Sequence, residues 1–228
     1  MNATTDIHPT ADSAVLIYSG GIDSTTMLYE YRDEVAIALT FDYGSNHAQR
    51  EISCARYHCG LLHKRHLVLP LGFIRDHFRS SLLSGAAAVP DRSYDEVSMR
   101  STVVPFRNGI LLAVAAGLAE SEGLRWVMMA NHGGDHSLYP DCRPEFVSNM
   151  DAAIAAGTYA GVRLWAPYTH LTKSDIVRRG AAAGVDFAHT WSCYKGETYH
   201  CGTCGTCQER HDAFLRAGID DPTTYSTH

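Results

Sequence analysis

The stretch Ala14-Val15-Leu16-Ile17-Tyr18-Ser19-Gly20-Gly21-Ile22-Asp23-Ser24 decides how the rest of the chain is organised. Its first five residues form an apolar run of strand length, and the residues from Thr25 to Glu30 can continue as an amphipathic helix. A turn between a strand and a helix leaves backbone N–H groups unpaired at the helix N-terminus, where they favour an anion. The stretch therefore predicts an α/β fold with a phosphate-binding turn.

The side chains of this turn, Ser19 to Ser24, fit a nucleotide. Gly20 and Gly21 let the backbone approach a phosphate closely, while the hydroxyls of Ser19 and Ser24 can donate hydrogen bonds to its oxygens. A carboxylate repels phosphate unless a divalent cation lies between them, so Asp23 indicates a bridging Mg²⁺. The turn lacks the Gly-Lys ending of a P-loop and the spacing of a dinucleotide fingerprint. Its pattern S-G-G-x-D-S resembles the signature of the PP-loop ATP pyrophosphatases, which adenylate a substrate and release pyrophosphate. An ordinary turn with an Asx cap is the alternative.

The composition is that of an ordinary globular chain and excludes some classes of function. The chain has 228 residues, 45% of them hydrophobic, and a formal net charge of -6. A surface that coats nucleic acid needs an excess of Lys and Arg, so no direct nucleic-acid binding is expected. No apolar run approaches the ~20 residues of a membrane helix, and no secretory leader is recognisable. We expect a soluble cytoplasmic protein that does not contact membranes.

Alternating strand and helix signals predict a parallel, Rossmann-like sheet of five strands flanked by helices. The predicted strands are residues 14–18, 34–41, 66–69, 124–130 and 162–166. Ligands of such sheets collect at the carboxyl ends of the strands, which brings Asp42 and Tyr43 beside the glycine turn. The prediction is a single domain over residues 1–228, with residues 188–228 as a metal-binding segment packed on it. The irregular segment from Gly72 to Met99 is interpreted as a lid or a dimer contact.

Basic residues stand at the starts of two predicted helices. Arg107 and Asn108 precede a helix from Gly109 to Ser121, where an arginine has the wrong sign for the helix dipole and indicates an anionic ligand. Lys173 begins another helix, capped by Thr172 or Ser174, and can reach a phosphate as a mobile point charge. The alternatives are a surface ion pair for the arginine and an ordinary surface position for the lysine.

The most polar loop of the chain, residues 131–146, follows the fourth predicted strand and is interpreted as a substrate pocket. It contains Asp135, Asp141 and Arg143. His132, Asp135 and His136 also have a spacing that suits a metal. That alternative is weaker, because the two histidines lie in a glycine-rich loop and not on a helix as in typical zinc enzymes.

Four cysteines near the C-terminus, Cys193, Cys201, Cys204 and Cys207, indicate a metal site. Two C-x2-C turns can direct four thiolates at one centre, as structural zinc prefers, and Gly202 and Gly205 permit tight turns. An iron–sulfur cluster or a redox thiol pair uses the same residue type. Four cysteines favour a structural metal over a pair, and we predict zinc, which would fix the C-terminal segment to the domain.

Together these motifs resemble the 7-cyano-7-deazaguanine synthase family of queuosine biosynthesis, which belongs to the PP-loop ATP pyrophosphatase superfamily. The resemblance covers about residues 14 to 210. It is carried, in the order of the family, by Ser19-Gly20-Gly21-Ile22-Asp23-Ser24, Phe41-Asp42-Tyr43-Gly44 with His47, Val104-Pro105-Phe106-Arg107-Asn108, Tyr139-Pro140-Asp141-Cys142-Arg143-Pro144-Glu145-Phe146 and the cysteine quartet. One departure is Leu138, since many members have glycine before the Tyr-Pro-Asp-Cys motif.

The resemblance implies an ATP-dependent ligase that converts 7-carboxy-7-deazaguanine and ammonia into the nitrile, through an adenylated carboxylate and an amide. It also implies a sheet of the adenine nucleotide alpha hydrolase type, bound Mg²⁺ and Zn²⁺, and a homodimer. The residues that match catalytic positions are Asp23, Lys173 and Arg107. The residues expected at the nucleotide are Ser19, Gly20, Gly21, Asp23, Ser24, Asp42 and Tyr43. Those expected at the substrate are Arg107, Asn108, Asp135, Asp141 and Arg143.

Two other functions are weighed against this one. A PP-loop enzyme that adenylates a transfer-RNA base and inserts sulfur needs a catalytic thiol pair and a basic surface, and the net charge of this chain is negative. A further alternative is a PP-loop enzyme that adenylates a carboxylate other than that of 7-carboxy-7-deazaguanine. A non-catalytic zinc and nucleotide-binding module would not need the intact Ser19, Asp23 and Ser24.

Overall fold

The computed structural model describes residues 8–91, 100–135 and 139–226, and the side chain of Asp135 is outside that description. Five parallel strands form one sheet in the order β3-β2-β1-β4-β5. The strands are β1 (Ala14–Ile17), β2 (Val35–Asp42), β3 (Arg65–Pro70), β4 (Trp126–Met128) and β5 (Arg163–Trp165). The prediction of a five-stranded parallel sheet is confirmed, although β4 is shorter than its apolar run.

Helices cover both faces of the sheet. They are α1 (Ile22–Glu30), α2 (Ala48–Leu61), α3 (Gly72–His77), α4 (Arg107–Ser121), α5 (Pro144–Gly157), α6 (Lys173–Ala183) and α7 (Gly205–Ala217). One core layer joins Leu16 of β1 to α1, α6 and α7, and the other joins Val15 to α4 and α5. Strands buried on both faces are continuous apolar runs in the sequence, as parallel strands usually are. No helix in the described ranges has the length and apolar character needed to cross a bilayer.

The order of the strands creates a crevice at the carboxyl edge of the sheet. The chain crosses from β1 to β2 and β3 on one side, and later returns to β4 and β5 on the other side. At the carboxyl ends of β1 and β4 the connections therefore diverge, which is where open α/β sheets bind ligands. The glycine turn after β1 lies at this edge, together with the loop after β4.

Two helix starts show how the site residues are positioned. Thr172 caps α6 in a capping box: its hydroxyl accepts from the Asp175 N–H at 3.2 Å, and its own N–H donates to the Asp175 carboxylate at 3.0 Å. This fixes Lys173 as the first residue of α6. Helix α4 begins at Arg107, two residues before the predicted start, because the Asp141 carboxylate accepts a hydrogen bond from the Asn108 N–H at 2.9 Å.

The C-terminal segment is tied to the domain by a buried arginine, Arg210, on α7. Its guanidinium donates to the Asp221 carboxylate at 3.2 Å, to the Thr190 hydroxyl at 2.9 Å and to the Phe187 carbonyl at 2.9 Å. Helix α7 also corrects one expectation: Gly205 is the first helical residue after Cys204 and not part of a tight turn, because Cys204 takes the N-cap position. Gly202, with φ +73°, does form a turn.

Replacing Arg210 with methionine is expected to lower the free energy of unfolding by about 3–5 kcal/mol, because it leaves the buried Asp221 carboxylate without its cation. Urea unfolding of the purified protein measures this change. The matched control is Arg216→Met on the same helix. That side chain is 75% exposed, and the ion pair it makes within the described part of the chain is a 3.9 Å contact with Asp212, so the expected loss is below about 0.5 kcal/mol. Equal losses in the two variants would contradict a special role for Arg210.

Candidate active site

The glycine turn after β1 is compact and closely packed. Gly20 has φ +81°, and a Cβ atom there would lie 2.5 Å from the Glu51 carbonyl oxygen, so the turn packs directly on α2. The hydroxyls of Ser19 and Ser24 lie 3.1 Å apart, and the Ser19 hydroxyl accepts from the Gly21 N–H at 3.2 Å. The predicted nucleotide residues Ser19, Gly20, Gly21, Asp23 and Ser24 therefore belong to one compact turn at the start of α1.

A cleft of about 1080 Å³, including its opening to solvent, lies against this turn at the carboxyl edge of the sheet. Its floor comes from the ends of β1 and β2, and its walls come from α2, α4, α6 and the C-terminal segment. The predicted site residues that line it are Ser19, Gly21, Asp23, Tyr43, Arg107 and Lys173. The mixture of apolar and charged walls is that of a small-molecule site.

One end of the cleft holds a charged cluster around Asp23. The Lys173 ammonium donates to the Asp23 carboxylate at 2.6 Å and to the His132 ring at 3.4 Å. Glu209 of α7 lies 3.7 Å from the lysine nitrogen. The second carboxylate oxygen of Asp23, Oδ1, is buried and accepts no hydrogen bond from the described residues. A buried acceptor without a donor costs stability, and a bound cation would remove that cost.

The other end of the cleft is built around Arg107. Its guanidinium donates to the Tyr43 hydroxyl at 3.0 Å and lies 5.6 Å from the centre of that ring. Burial lowers the pKa of the nearby His47 to about 4, and Arg107 adds to the effect, so the imidazole is neutral at physiological pH. Burial raises the pKa of Glu51 to about 8, against the opposing effect of Arg107. The Arg107 end therefore carries one fixed positive charge and one carboxyl group that titrates near neutral pH.

The remaining predicted residues lie around the cleft with other partners. One oxygen of Asp141 accepts the Asn108 N–H at the start of α4, and the Asn108 side chain donates to the Asp141 carbonyl at 3.2 Å and the Cys142 sulfur at 3.2 Å. Arg143 is exposed. The Asp42 carboxylate accepts from the Gly44 N–H at 3.1 Å.

Part of the loop after β4, to which substrate and metal roles are assigned from the sequence, lies outside the described residues. The backbone of Asp135 closes a 3₁₀ turn, Gly133–Asp135, and its side chain is outside the described structure. Residues 136–138 are outside it as well, and with them the alternative metal ligand His136 and the departure at Leu138. The substrate roles of Asn108, Asp135, Asp141 and Arg143 stay predictions.

The four predicted metal ligands, Cys193, Cys201, Cys204 and Cys207, converge in a buried cluster. Their sulfur atoms all lie within 4.8 Å of one another, and the Cys201 and Cys207 sulfurs are 3.9 Å apart. Zinc–sulfur bonds of about 2.3 Å at tetrahedral angles separate the sulfurs by about 3.8 Å, so the donor set fits zinc. Hydrogen bonds among these thiols lower the pKa of Cys204 and raise the pKa values of Cys193 and Cys207, so Cys204 is the one of these three that is predisposed to the thiolate form that binds metal.

Several residues of the cleft were not predicted as site residues. They are His47, Glu51, Tyr139, Trp191, Ser192, Tyr194, Thr206 and Glu209. Five of them belong to the C-terminal segment, residues 188–228. The backbone N–H of Trp191 donates to the Gly20 carbonyl at 3.1 Å, which brings this segment over the glycine turn. The signal in the sequence is their proximity to metal ligands, as Trp191 and Tyr194 flank Cys193. His47 follows the motif Phe41-Asp42-Tyr43-Gly44 in the sequence, which assigns it no role.

Comparison with known proteins agrees with this geometry. Residues 13–218 match the family model described as "Queuosine biosynthesis protein QueC". A 7-cyano-7-deazaguanine synthase of Porphyromonas gingivalis is 56% identical over 93% of this chain and 96% of its own length. Those of Methanoregula boonei and Desulfotalea psychrophila are 46% and 44% identical, each over 93% of this chain and 98% of its own length.

The fold also occurs in a distant solved structure. The NMN synthetase of Francisella tularensis matches with a TM-score of 0.53 and 13% identity, covering 92% of this chain and 79% of that protein. At this identity the likeness concerns the fold alone. The family model and the curated relatives, which cover almost the whole chain, show that the protein is a member of the QueC family of queuosine biosynthesis proteins.

Proposed function

We propose that the protein is an ATP-dependent carbon–nitrogen ligase that converts 7-carboxy-7-deazaguanine and ammonia into 7-cyano-7-deazaguanine. The observation that carries the proposal is a single cleft that contains both the glycine turn with the Asp23–Lys173 pair and the cationic Arg107 end, in a chain 56% identical to a protein named for this product. The reaction needs both ends: one to hold the phosphates of ATP, and one to hold a carboxylate.

The Asp23 end would hold the nucleotide. Backbone N–H groups of the turn and the hydroxyls of Ser19 and Ser24 bind phosphate oxygens, while Asp42 and Tyr43 lie at the end of the neighbouring strand. Asp23 fits Mg²⁺, because its Oδ1 is a buried acceptor that no described donor satisfies. Mg²⁺ held there would neutralise phosphate charge, and the Lys173 ammonium adds a second positive charge for the departing pyrophosphate.

The Arg107 end would hold the deazaguanine carboxylate. A guanidinium offers two parallel donors to a carboxylate, and the Tyr43 hydroxyl already fixes the orientation of this one. The planar base can stack on the aromatic walls of the cleft. Asn108, Asp135, Asp141 and Arg143 are proposed to contribute to substrate binding, Asp141 through the start of α4, which it holds.

The remaining features of the proposal concern the metal and the setting of the reaction. Zn²⁺ bound by the cysteine quartet has a structural role, because four thiolates leave no open position for a substrate. We propose that the enzyme is a cytoplasmic homodimer that acts on small molecules and does not contact nucleic acid or membranes directly.

The test is a mass-spectrometric assay of the purified protein with ATP, Mg²⁺, ammonium and 7-carboxy-7-deazaguanine. We expect the nitrile to accumulate, the amide to appear before it, and pyrophosphate to be released only when the carboxylate substrate is present. The control omits ammonium, and neither the amide nor the nitrile should then form. Binding of ATP without amide or nitrile would contradict the proposed substrate, and the loop after β4 is then the place to search for another specificity.

A further inference from the structure

Glu51 is a carboxyl group in the cleft that has no role in the function proposed so far. It lies in the first turn of α2, and its backbone carbonyl packs on Gly20 of the phosphate-binding turn. Its side chain, 20% exposed, lines the same cleft as Arg107. The backbone of Glu51 therefore borders the proposed phosphate end, while its side chain lies in the cleft beside the proposed carboxylate end.

The neighbours of Glu51 leave its carboxylate available. Among the described residues none donates a hydrogen bond to it, and its shortest ionic contact is to His47 Nε2 at 3.8 Å. His47 is held by ring stacking on Tyr194, with centroids 5.4 Å apart. The Arg107 guanidinium is directed at the Tyr43 hydroxyl. Ionising a mostly buried carboxyl group that has no donor is unfavourable, so a cationic ligand at this point would stabilise its carboxylate form.

We propose that the Glu51 carboxylate binds the ammonium ion and takes a proton from it as the nitrogen attacks the activated carboxylate. The proposal rests on the function proposed above. Ammonium has no lone pair and cannot attack until it loses a proton, so the reaction needs a base beside the acyl carbon. Aromatic rings at Tyr43, Tyr139 and Tyr194 line the same region, and such rings attract small cations.

Glu51 accepts one proton from ammonium and becomes a carboxylic acid, and the lone pair of the resulting ammonia forms the C–N bond with the acyl carbon. The C–O bond to AMP then breaks, and its electron pair leaves with the phosphate oxygen. A second proton leaves the new nitrogen for water, which gives the neutral amide. No oxidant or reductant takes part.

The local electrostatics agree with this role. Burial raises the pKa of Glu51 to about 8, with Arg107 opposing the shift, and a base is most effective when its pKa lies near the working pH. The groups that face Glu51 are His47, which is neutral, Arg107, and the phenol of Tyr43, whose pKa burial raises. A bound ammonium ion adds a positive charge and so favours the carboxylate form of Glu51.

The test compares two nucleophiles in the variant Glu51→Gln. Hydroxylamine is uncharged at neutral pH and attacks without prior loss of a proton. We expect the variant to lose amide formation from ammonium by about 10²–10⁴-fold, the usual contribution of a general base. Formation of the hydroxamate from hydroxylamine should stay within a few-fold of the unaltered chain. The matched control is Glu122→Gln, a surface carboxylate paired with Arg65 at the opposite edge of the sheet, and it should change neither rate.

Three outcomes would overturn the proposal. They are full use of ammonium by Glu51→Gln, equal losses with both nucleophiles, and a failure of the proposed function itself. Exchange of pyrophosphate into ATP in the presence of 7-carboxy-7-deazaguanine separates the last outcome, because it reports adenylation before ammonia enters. Exchange absent from the unaltered chain means that the proposed function is wrong. If Glu51→Gln retains the exchange but loses the reactions with ammonium and hydroxylamine equally, Glu51 only positions other groups. If Glu51→Gln does not fold, Glu51→Asp, which keeps the base, should retain selective use of ammonium.

Discussion

Replacement of Asp23 with asparagine is expected to lower the rate of nitrile formation by about 10³-fold, the effect of removing a charged group that stabilises a transition state. Asparagine has the same shape, so the turn and α1 should still form. What is lost is the negative charge, and with it the ligand proposed for Mg²⁺. The assay is nitrile formation at saturating ATP and substrate over a series of Mg²⁺ concentrations. The variant should need a far higher Mg²⁺ concentration than the unaltered chain to reach half of its maximal rate.

The size of this effect follows from the surroundings of Asp23. One oxygen accepts from Lys173 at 2.6 Å, and the other is buried and accepts no hydrogen bond from the residues that the structure describes. An amide at this position would direct an N–H group at either the lysine or the cation, and both contacts are repulsive. The substitution therefore removes the proposed cation ligand and also disturbs the lysine that is expected to stabilise the departing pyrophosphate.

The matched control for this prediction is Asp33→Asn, whose side chain is 85% exposed and lies 4.0 Å from Arg32. It carries the same change of charge and should leave the rate and the Mg²⁺ dependence unaltered. Thermal unfolding of both variants should match that of the unaltered chain to within a few degrees. An Asp23→Asn protein that folds and forms nitrile at the normal rate would mean that the carboxylate takes no part in binding the nucleotide.

The sequence predicts the sheet well because the sheet depends on local patterns. Residues 34–41 are almost continuously apolar, and in the structure β2 is the strand next to the centre, between β1 and β3, where both of its faces are covered. Helix α6 is equally well defined by its cap at Thr172. The start of α4 is not, since Phe106 takes the N-cap position with φ +52° and the helix N–H is satisfied by Asp141, thirty-three residues away. No local signal encodes such a partner.

The candidate site shows the same division. The glycine turn and the cysteine quartet are recognisable from spacing, because the proposed phosphate ligands and the proposed metal ligands each lie close together in the chain. Glu209 and Glu51 are single charged residues on helices, and charged residues on helices are usually solvated. Their position in the cleft depends on how α2 and α7 pack around the sheet, which only the tertiary structure reveals.

The cysteine quartet and the cleft are parts of one structural unit. Trp191 and Ser192 precede the first ligand, Cys193, and both line the cleft. The segment is further fixed where the Lys195 ammonium and the Thr203 hydroxyl donate to the Asp91 carboxylate at 2.6 Å and 2.5 Å. A metal that holds the cysteines together therefore also holds one wall of the proposed active site.

We therefore expect that Cys204→Ser, or removal of the metal by a chelator, destabilises the protein and abolishes its activity. The free energy of binding structural zinc is free energy of folding, and a loss on the order of 5 kcal/mol lowers Tm by roughly 10–20 °C for a domain of this size. The unaltered chain should contain about one zinc ion, measured by elemental mass spectrometry. The variant should contain almost none, and calorimetry should show the lowered Tm.

The control for this prediction is Cys54→Ser, the same change at a half-buried thiol that packs against the cluster but is not among the four converging sulfurs. It should keep the zinc and most of the nitrile-forming activity. If the purified protein contains iron together with acid-labile sulfide, the cysteines bind an iron–sulfur cluster and the prediction of zinc is wrong. If a protein without metal keeps its Tm and its activity, packing alone positions the wall of the cleft that contains Trp191. The four buried thiols would then hold the segment in place without a central ion.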